Sequence, residues 1–287
     1  MKTVYIWQGD GWGGNKLNWM YAPARETLVE GFKNLNVKID TRIKCYDWKL
    51  IKPNSIFIWI GDYHAPKVPW NLFKRKKIYT IYYQSEPWNE NKKWNFNAHE
   101  IWDYSLRNVN KIKKRVKESK IVRFVPPGYL ESEKIIQKSS NDIKLVFFGD
   151  ARWRPQYKHM KDIFNDTLIN ERNVWNKNAF NNFINKPYVS IFLNLHKHNN
   201  CLCVESVRMS QLLSAGALII SEKSDPLDEN IFKDYVIFTD DYKNEYNKLI
   251  NMSLQDRQEK ADGILAKYMM DFSPRSIFER ANIKEII

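Results

Sequence analysis

Residues 191–222 read IFLNLHKHNNCLCVESVRMSQLLSAGALIISE. The apolar run Ile191–Leu195 predicts a buried strand, and the apolar spacing between Glu205 and Ser214 predicts a helix. Gly216 ends that helix, because glycine takes the backbone conformation of a helix C-terminus at little cost. A second apolar run, Ala217–Ile220, follows at once. The stretch therefore predicts a strand–loop–helix–strand unit of an open α/β sheet.

The polar residues of this stretch cluster where a ligand would be bound. His196 follows the first strand, and Glu205 and Arg208 stand at the start of the helix. In open α/β sheets ligands bind at the carboxyl ends of the strands. A helix amino terminus also suits a phosphate. The unit therefore predicts a binding site for a phosphorylated ligand.

The segment from Arg208 to Ala217 resembles the nucleotide-sugar-binding half of GT-B glycosyltransferases. It is most similar to a pattern shared by the spore-maturation-type and exostosin-like group: Arg, two residues, Glu, then Ala or Leu, a small residue, and Gly-Ala or Gly-Cys before an apolar strand. This chain has Gln211 where that group usually has the Glu that holds the donor ribose. An amide still donates and accepts hydrogen bonds. The resemblance implies a donor site that includes Gln211, with a weaker hold on the donor or a different donor.

The alternation of elements along the chain predicts the same fold class. The apolar runs that we interpret as strands in the first half are Thr3–Trp7, Val37–Asp40, Ser55–Ile60, Lys77–Tyr83, Glu100–Tyr104 and Ile121–Val125. Ala24–Leu35 has helical spacing. A second series begins at Ile143–Phe148 and continues through 187–195, 217–220 and 235–239. Strands separated by helices indicate parallel sheets.

The resemblance extends this to a GT-B plan, with two Rossmann-like domains whose parallel sheets face an interdomain cleft. Pro126-Pro127-Gly128 and the polar residues up to 142 predict the linker. We expect an acceptor-binding domain at 1–128 and a nucleotide-sugar-binding domain at 143–265. A helical segment at 266–287 could pack back onto the first domain.

Three residues after the first strand of the second domain complete the predicted donor site. Gly149 would let the chain turn close to a pyrophosphate, and Arg152 and Arg154 would neutralise it. The guanidinium fork matches phosphate geometry. The alternative is two ordinary surface arginines. The residues predicted to bind the donor are Gly149, Arg152, Arg154, His196, Glu205, Arg208 and Gln211.

The predicted acceptor side is rich in glycine. Gly11, Trp12, Gly13 and Gly14 follow the first strand, and close glycines permit near approach of the backbone to a ligand. Together with Trp88 they are the predicted acceptor-binding residues. An inverting reaction needs a general base in this domain. The candidates follow the ends of predicted strands: Asp10, which we rank first, and then Asp62, His64 and Glu86.

A metal or cofactor is not expected. His196, His198, Cys201 and Cys203 lie within eight residues, without the spaced pairs of zinc folds. No Asp-x-Asp stands in a suitable context; Asp225 and Asp228 have the wrong spacing, and so have Asp240 and Asp241. Basic side chains would do the work of Mg²⁺. The prediction is a hexosyl- or pentosyltransferase that uses a nucleotide sugar and needs neither metal nor cofactor.

The bulk composition leaves a second class of function open. Lys plus Arg number 46 and Asp plus Glu number 33, for a net charge of +13, which favours anionic partners. Much of the excess lies in Lys74–Lys77 and Lys111–Lys117, which we interpret as solvated helix ends or loops. A nucleic-acid-binding protein and a catalytically inactive sugar-binding or nucleotide-binding protein are the alternatives. The chain has no recognised nucleic-acid module, so a nucleic-acid partner is not favoured.

Length and cysteine content bear on location. No run of 18 apolar residues occurs in the 287, so no transmembrane helix is expected. Three cysteines are too few for a disulfide scaffold and leave one unpaired, which favours a reducing compartment. We expect a cytoplasmic protein whose partners are a nucleotide sugar and a glycan or small-molecule acceptor.

Overall fold

The computed structural model describes residues 2–9, 21–43, 47–61, 68–85, 97–131, 133, 143–172, 174, 176–186, 189–196 and 202–287. They form two compact units. The first unit comprises Met1–Gly128 and Phe272–Ile287, and the second comprises Tyr129–Asp271. None of the described helices is both long and apolar enough to span a bilayer.

The first unit is built on a sheet of six strands. The strands are β1 (Thr3–Gln8), β2 (Lys38–Ile43), β3 (Ile56–Ile60), β4 (Tyr79–Gln84), β5 (Glu100–Asp103) and β6 (Ile121–Phe124), in the order β2-β1-β3-β4-β5-β6. Every neighbouring pair is parallel. The helices of this unit are α1 (Ala22–Lys33), α2 (Trp70–Arg75), α3 (Leu106–Lys113) and, near the carboxyl end of the chain, α10 (Pro274–Arg280).

The second unit has a sheet of five parallel strands. They are β7 (Lys144–Phe148), β8 (Leu168–Glu171), β9 (Val189–Asn194), β10 (Leu218–Glu222) and β11 (Ile237–Thr239), in the order β11-β10-β9-β7-β8. The helices are α4 (Gln156–Phe164), α5 (Lys177–Ile184), α6 (Ser206–Ser214), α7 (Pro226–Phe232), α8 (Tyr242–Ile250) and α9 (Leu254–Asp271). The predicted fold class, α/β with two parallel sheets, is confirmed.

The central strands of both sheets are apolar along their whole length because both faces are covered. All five residues of β3 are buried, as are all six of β9. Continuous apolar runs of this kind are typical of parallel sheets. In the first unit the core is strongly aromatic: Trp48 lies 5.7 Å from Trp7 between ring centroids, and Phe57 lies 4.9 Å from Phe73. Many aromatic residues of this chain therefore serve the core.

Some elements differ from the sequence prediction. Strand β2 runs to Ile43, three residues beyond the predicted end, and helix α3 and strand β8 were not predicted. Four of the six residues of β2 are polar and none of the six is buried, because β2 lies at an edge of its sheet, so its apolar pattern is weak. Helix α1 begins at Ala22 because Pro23 fits the first turn of a helix.

Helix α10 packs on α1 at Gly31, where the contact leaves no room for a side chain. A Cβ on Gly31 would lie 2.6 Å from Cδ1 of Phe278 and closer still to two other atoms of that ring. Phe278 is buried and meets the ring of Phe32 edge-on at 4.9 Å. Replacing Gly31 by Ala should therefore lower the free energy of unfolding by about 1–3 kcal/mol through overpacking.

The matched control is Gly263→Ala in α9, where a Cβ would meet no atom within 4 Å. That change should raise stability by up to about 1 kcal/mol, because alanine favours the helix. Denaturant unfolding of both variants checks the pair. Equal effects of the two substitutions would contradict the packing of α10 on α1.

Candidate functional site

A cluster of charged side chains lies at the carboxyl edge of the second sheet. Gly149 directly follows β7, and Leu195 and His196 follow β9. Glu205 is the residue before the first turn of α6, and Arg208 lies in that helix. Because the strands are parallel, the ends of β7 and β9 meet at the same edge. Helix α6 lies between β9 and β10 in the chain, and these two strands pair in parallel, so the start of the helix lies at the edge where β9 ends.

Two arginines share one carboxylate in this cluster. Arg154 Nη2 lies 3.0 Å from Oε2 of Glu205, and Arg208 Nη2 lies 3.0 Å from Oε1 of the same side chain. Arg154 Nε also donates a 2.8 Å hydrogen bond to the carbonyl of Leu195, at the end of β9. Two positive charges thus face one negative charge, and this group of three carries a net charge of +1.

Arg208 is the most enclosed of the three. Its side chain is 11% exposed, and its guanidinium carbon lies 5.5 Å from the ring centre of Phe147 and 5.4 Å from that of Phe148. Within the described part of the chain, no hydrogen-bond acceptor reaches its buried Nη1. A buried cationic donor without an acceptor is costly in a free protein. The arrangement leaves one guanidinium donor for an anion.

The pKa values of the cluster reflect burial and mutual charge. Burial lowers the pKa of Arg208; Glu205 opposes this shift, and Arg154 adds to it. Burial alone would raise the pKa of Glu205, but Arg208, Arg154 and His196 outweigh it, so that pKa lies below its ordinary value. Glu205 is therefore ionised at neutral pH, where it holds both arginines in place.

Gly149 makes room for this arrangement. Its φ of +139° belongs to the region that favours glycine, and a Cβ there would lie 3.2 Å from Arg208 Nη2. Asn170 Nδ2 donates a 2.9 Å hydrogen bond to its carbonyl. The backbone thus passes close to the guanidinium without a side chain between them.

A buried histidine and carboxylate lie beside the arginines. The backbone N–H of His196 donates to Glu222 Oε1, and His196 Nδ1 lies 3.8 Å from the same oxygen. Both side chains are almost wholly buried. Glu222 was not among the residues predicted from the sequence, although an acidic residue at the end of an apolar strand is a usable signal.

The structure brings Gly149, Arg154, His196, Glu205 and Arg208 together and leaves Arg152 apart. Arg152 is 72% exposed and pairs with Asp150 at 2.5 Å. The hydrogen bond from Arg152 lowers the pKa of Asp150 to about 2. Gln211 is buried and lies one turn beyond Arg208 on α6.

The remaining predicted residues lie outside the described ranges. They are Asp10, Gly11, Trp12, Gly13, Gly14, Asp62, His64, Glu86 and Trp88, together with His198 and Cys201. Cys203 is described and is buried. Among the described residues, no three metal-ligating side chains are grouped so that they could hold a metal ion.

The similarity of this chain to known proteins is found in three-dimensional structure alone. No family model and no curated protein matches the chain. The T4 phage β-glucosyltransferase superposes with a TM-score of 0.63 at 10% identity, over 100% of this chain and 99% of that one. The apo lipopolysaccharide outer core galactosyltransferase WaaB gives 0.52 at 12%, over 99% and 100%.

A further structure, described as the DNA-modifying enzyme β-glucosyltransferase with and without its substrate uridine diphosphoglucose, gives a TM-score of 0.50 at 9% identity, over 99% of this chain and 96% of that one. Identities this low establish the fold. These structural neighbours are GT-B glycosyltransferases, and the two parallel sheets with flanking helices of this chain match the fold of the first two.

Proposed function

We propose that this protein is a glycosyltransferase that moves a hexose or pentose from a nucleotide sugar to a hydroxyl of a glycan or small acceptor. The observation that carries the proposal is the half-buried Arg154–Glu205–Arg208 cluster at the carboxyl edge of the second sheet, with Arg208 Nη1 left for an anion. The fold supports it, because solved structures with this fold include a glucosyltransferase and a galactosyltransferase. Gly149, His196 and Gln211 would complete the donor site.

The chemistry of the reaction gives the two arginines their role. When the glycosidic bond of a nucleotide sugar breaks, negative charge builds on the diphosphate leaving group. Fixed donors aimed at developing charge stabilise a transition state more than mobile ones, because they need no reorganisation. Arg208 is held by Glu205 and two phenylalanine rings, and Arg154 is held by Glu205 and Leu195. Cations held in this way would replace a metal ion at the diphosphate.

The other half of the reaction stays a prediction from the sequence. An inverting transfer needs a base for the acceptor hydroxyl. Asp10 remains the first candidate, before Asp62, His64 and Glu86, and all four lie outside the described residues. The glycine-rich segment 11–14 and Trp88 remain the proposed acceptor-binding residues.

Thermal unfolding with nucleotides tests the proposed donor site. A nucleoside diphosphate at one hundred times its dissociation constant should stabilise the protein by about 2.7 kcal/mol. The matching nucleoside should have a much smaller effect, because it lacks the group that the arginines would hold. Excess chelator should leave the diphosphate effect unchanged. Equal stabilisation by nucleoside and diphosphate, or its loss in chelator, would contradict the proposal.

Transfer itself needs a second assay. Nucleotide sugars that stabilise the fold should release nucleoside diphosphate when an acceptor is added. Stabilisation without release, across a panel of glycans and small acceptors, would favour the alternative of an inactive nucleotide-binding protein.

A further inference from the structure

The two basic runs of the sequence meet at one edge of the first unit. Because all six strands are parallel, the segments that lead into them reach the same edge, formed by the amino ends of the strands. Lys49 and Lys52 precede β3, Lys74–Lys77 precede β4, and the cations between Lys111 and Lys120 precede β6. We name these residues the basic edge. It holds twelve cations, with Glu118 as the one acid inside the three runs.

Contacts between neighbouring segments show that the basic edge is continuous. The backbone N–H of Asn54 donates a 3.3 Å hydrogen bond to the carbonyl of Lys76, which joins the first run to the second. Lys120 Nζ donates to the carbonyl of Ala98, just before β5. Burial lowers the pKa of His99, and the charges of Lys120 and Lys74 lower it further. The second and third runs therefore both lie close to His99.

Most of this charge is not neutralised within the protein. Lys113, Lys114 and Lys117 are exposed and form no ion pair with any described residue, and the same holds for Lys74 and Lys77. Like charges at such density repel one another, which is a cost unless a partner supplies the opposite charge.

Helix dipoles account for a part of the basic edge. Helices α2 and α3 end there, and Arg75 and Lys113 stand in their last turns, where cations are favourable. That effect falls off within one turn. Lys49, Lys52 and Lys117 lie outside the last turn of any α-helix, so helix stability does not explain them.

The composition of the basic edge favours a membrane over a nucleic acid. Ten of the twelve cations are lysine, a hydrated point charge without the planar fork that arginine offers to single phosphates. Leu50 and Ile121 lie at the same edge and are 41% and 42% exposed. The exposed large apolar side chains among the described residues are all aliphatic, and the half-buried ring of Tyr79 at this edge is already stacked on His99 and hydrogen-bonded to Glu100.

We propose that the basic edge docks the first unit on a bilayer surface rich in anionic phospholipid. Clusters of lysine bind such surfaces by diffuse attraction, and aliphatic side chains such as Leu50 and Ile121 enter the headgroup region. Docking in this way leaves uncovered the opposite edge of the same sheet, where the carboxyl ends of the strands lie. The proposal stands on the charge and apolar exposure of this edge and does not depend on the proposed function.

Vesicle sedimentation with the full chain tests the proposal. Vesicles of phosphatidylcholine mixed with phosphatidylglycerol should bind the protein, and pure phosphatidylcholine vesicles should not. Lysines near an anionic surface contribute about fivefold each to binding. The triple variant Lys113→Gln, Lys114→Gln and Lys117→Gln should therefore bind about 100-fold more weakly.

The matched control removes the same charge from exposed lysines of the second unit, by Lys158→Gln, Lys161→Gln and Lys243→Gln. It should keep most of the vesicle binding, and both triple variants should unfold at the wild-type temperature. Equal loss in the two variants would show that net charge alone acts and would overturn the proposal. Absence of binding to the anionic vesicles would overturn it as well.

A second pair of measurements separates a membrane from a nucleic acid. Leu50→Ser with Ile121→Thr should weaken binding to the anionic vesicles while leaving any binding to duplex DNA unchanged. If this double variant binds vesicles as the wild type does, and the first triple variant loses DNA binding instead, the basic edge is a nucleic-acid surface and the membrane proposal is wrong.

Discussion

Replacement of Arg208 by methionine is expected to weaken nucleoside-diphosphate binding by about 2–5 kcal/mol, which is about 30-fold or more. The reason is that Arg208 Nη1 is a buried donor without a described acceptor, while Nη2 of the same guanidinium is already held by Glu205. Methionine keeps the length and apolar stem that pack on Phe147 and Phe148 and removes the charge. Titration calorimetry with the diphosphate and with the nucleoside measures the effect.

The comparison between the two ligands decides what Arg208 does. Binding of the nucleoside should change little, because it has no phosphate. The control is Arg275→Met, which removes an exposed arginine of α10 that pairs with Glu279 at 2.9 Å. It should leave both affinities unchanged. If Arg208→Met weakened nucleoside and diphosphate equally, Arg208 would not contact the phosphates.

The stability of Arg208→Met tests independently whether Arg208 serves a ligand or the fold. A ligand site often holds groups that the free protein would be more stable without. In Arg208→Met the carboxylate of Glu205 keeps Arg154 as its partner at 3.0 Å. The free variant should therefore unfold within about 1 kcal/mol of the wild type. A large loss of stability would mean that Arg208 serves the fold rather than a ligand.

Replacement of Arg123 by methionine should lower the free energy of unfolding by about 3–5 kcal/mol, because it leaves a buried carboxylate without its cation. Glu100 is fully buried, and Arg123 binds it through Nε at 2.8 Å and Nη2 at 3.2 Å. Arg123 Nη1 also donates a 2.7 Å hydrogen bond to the carbonyl of Ala281, at the end of α10. The guanidinium thus joins β5, β6 and the carboxyl-terminal helix of the first unit.

The stability that Arg123→Met loses should depend on pH, and it should be larger at neutral pH than in acid. Burial would raise the pKa of Glu100, but hydrogen bonds from Arg123, Trp102 and Tyr79 outweigh it, and the pKa lies below its ordinary value of 4.5. A carboxylate with a depressed pKa stabilises the fold above its unfolded-state pKa, and this contribution is lost as the pH falls through the folded-state value. The difference between wild type and Arg123→Met should therefore be full at neutral pH and shrink in acid.

Denaturant unfolding at neutral pH and below pH 4.5 checks both parts. Arg275→Met again serves as the control, since an exposed pair contributes little. A difference that stayed constant across this range would contradict the depressed pKa of Glu100. A difference below about 1 kcal/mol at neutral pH would contradict the role of the pair in the fold.

The sequence predicted the unit at 191–222 closely because its signals are local. The predicted helix between Glu205 and Ser214 is observed as Ser206–Ser214, and the strand predicted at 217–220 as Leu218–Glu222. A buried strand and an amphipathic helix are specified by the periodicity of neighbouring side chains, and no distant contact is needed to recognise them. Strand β2 was harder to delimit, since an edge strand with polar residues lacks that periodicity.

From the sequence alone, Arg152 and Arg154 were both predicted to neutralise the pyrophosphate, but in the tertiary structure they have different partners. Asp150 accepts hydrogen bonds from the backbone and side chain of Arg152, in the short 3₁₀ turn Ala151–Trp153, and so holds that arginine in solvent. Arg154 reaches Glu205, which is 51 residues away in the chain. Such a pairing depends on strand order, which places β7 beside β9, and local sequence does not encode it.

The distribution of charge likewise depends on both the sequence and the tertiary structure. The sequence by itself determined that the chain is basic, that it alternates strands and helices, and that it has a glycine and arginines after the strand that opens its second series. Only the tertiary structure decided that Lys74–Lys77 and the cations from Lys111 to Lys120 share one edge. The physical reason is that parallel strands align their amino ends, so segments far apart in the chain become neighbours, and their charges add where a partner would approach.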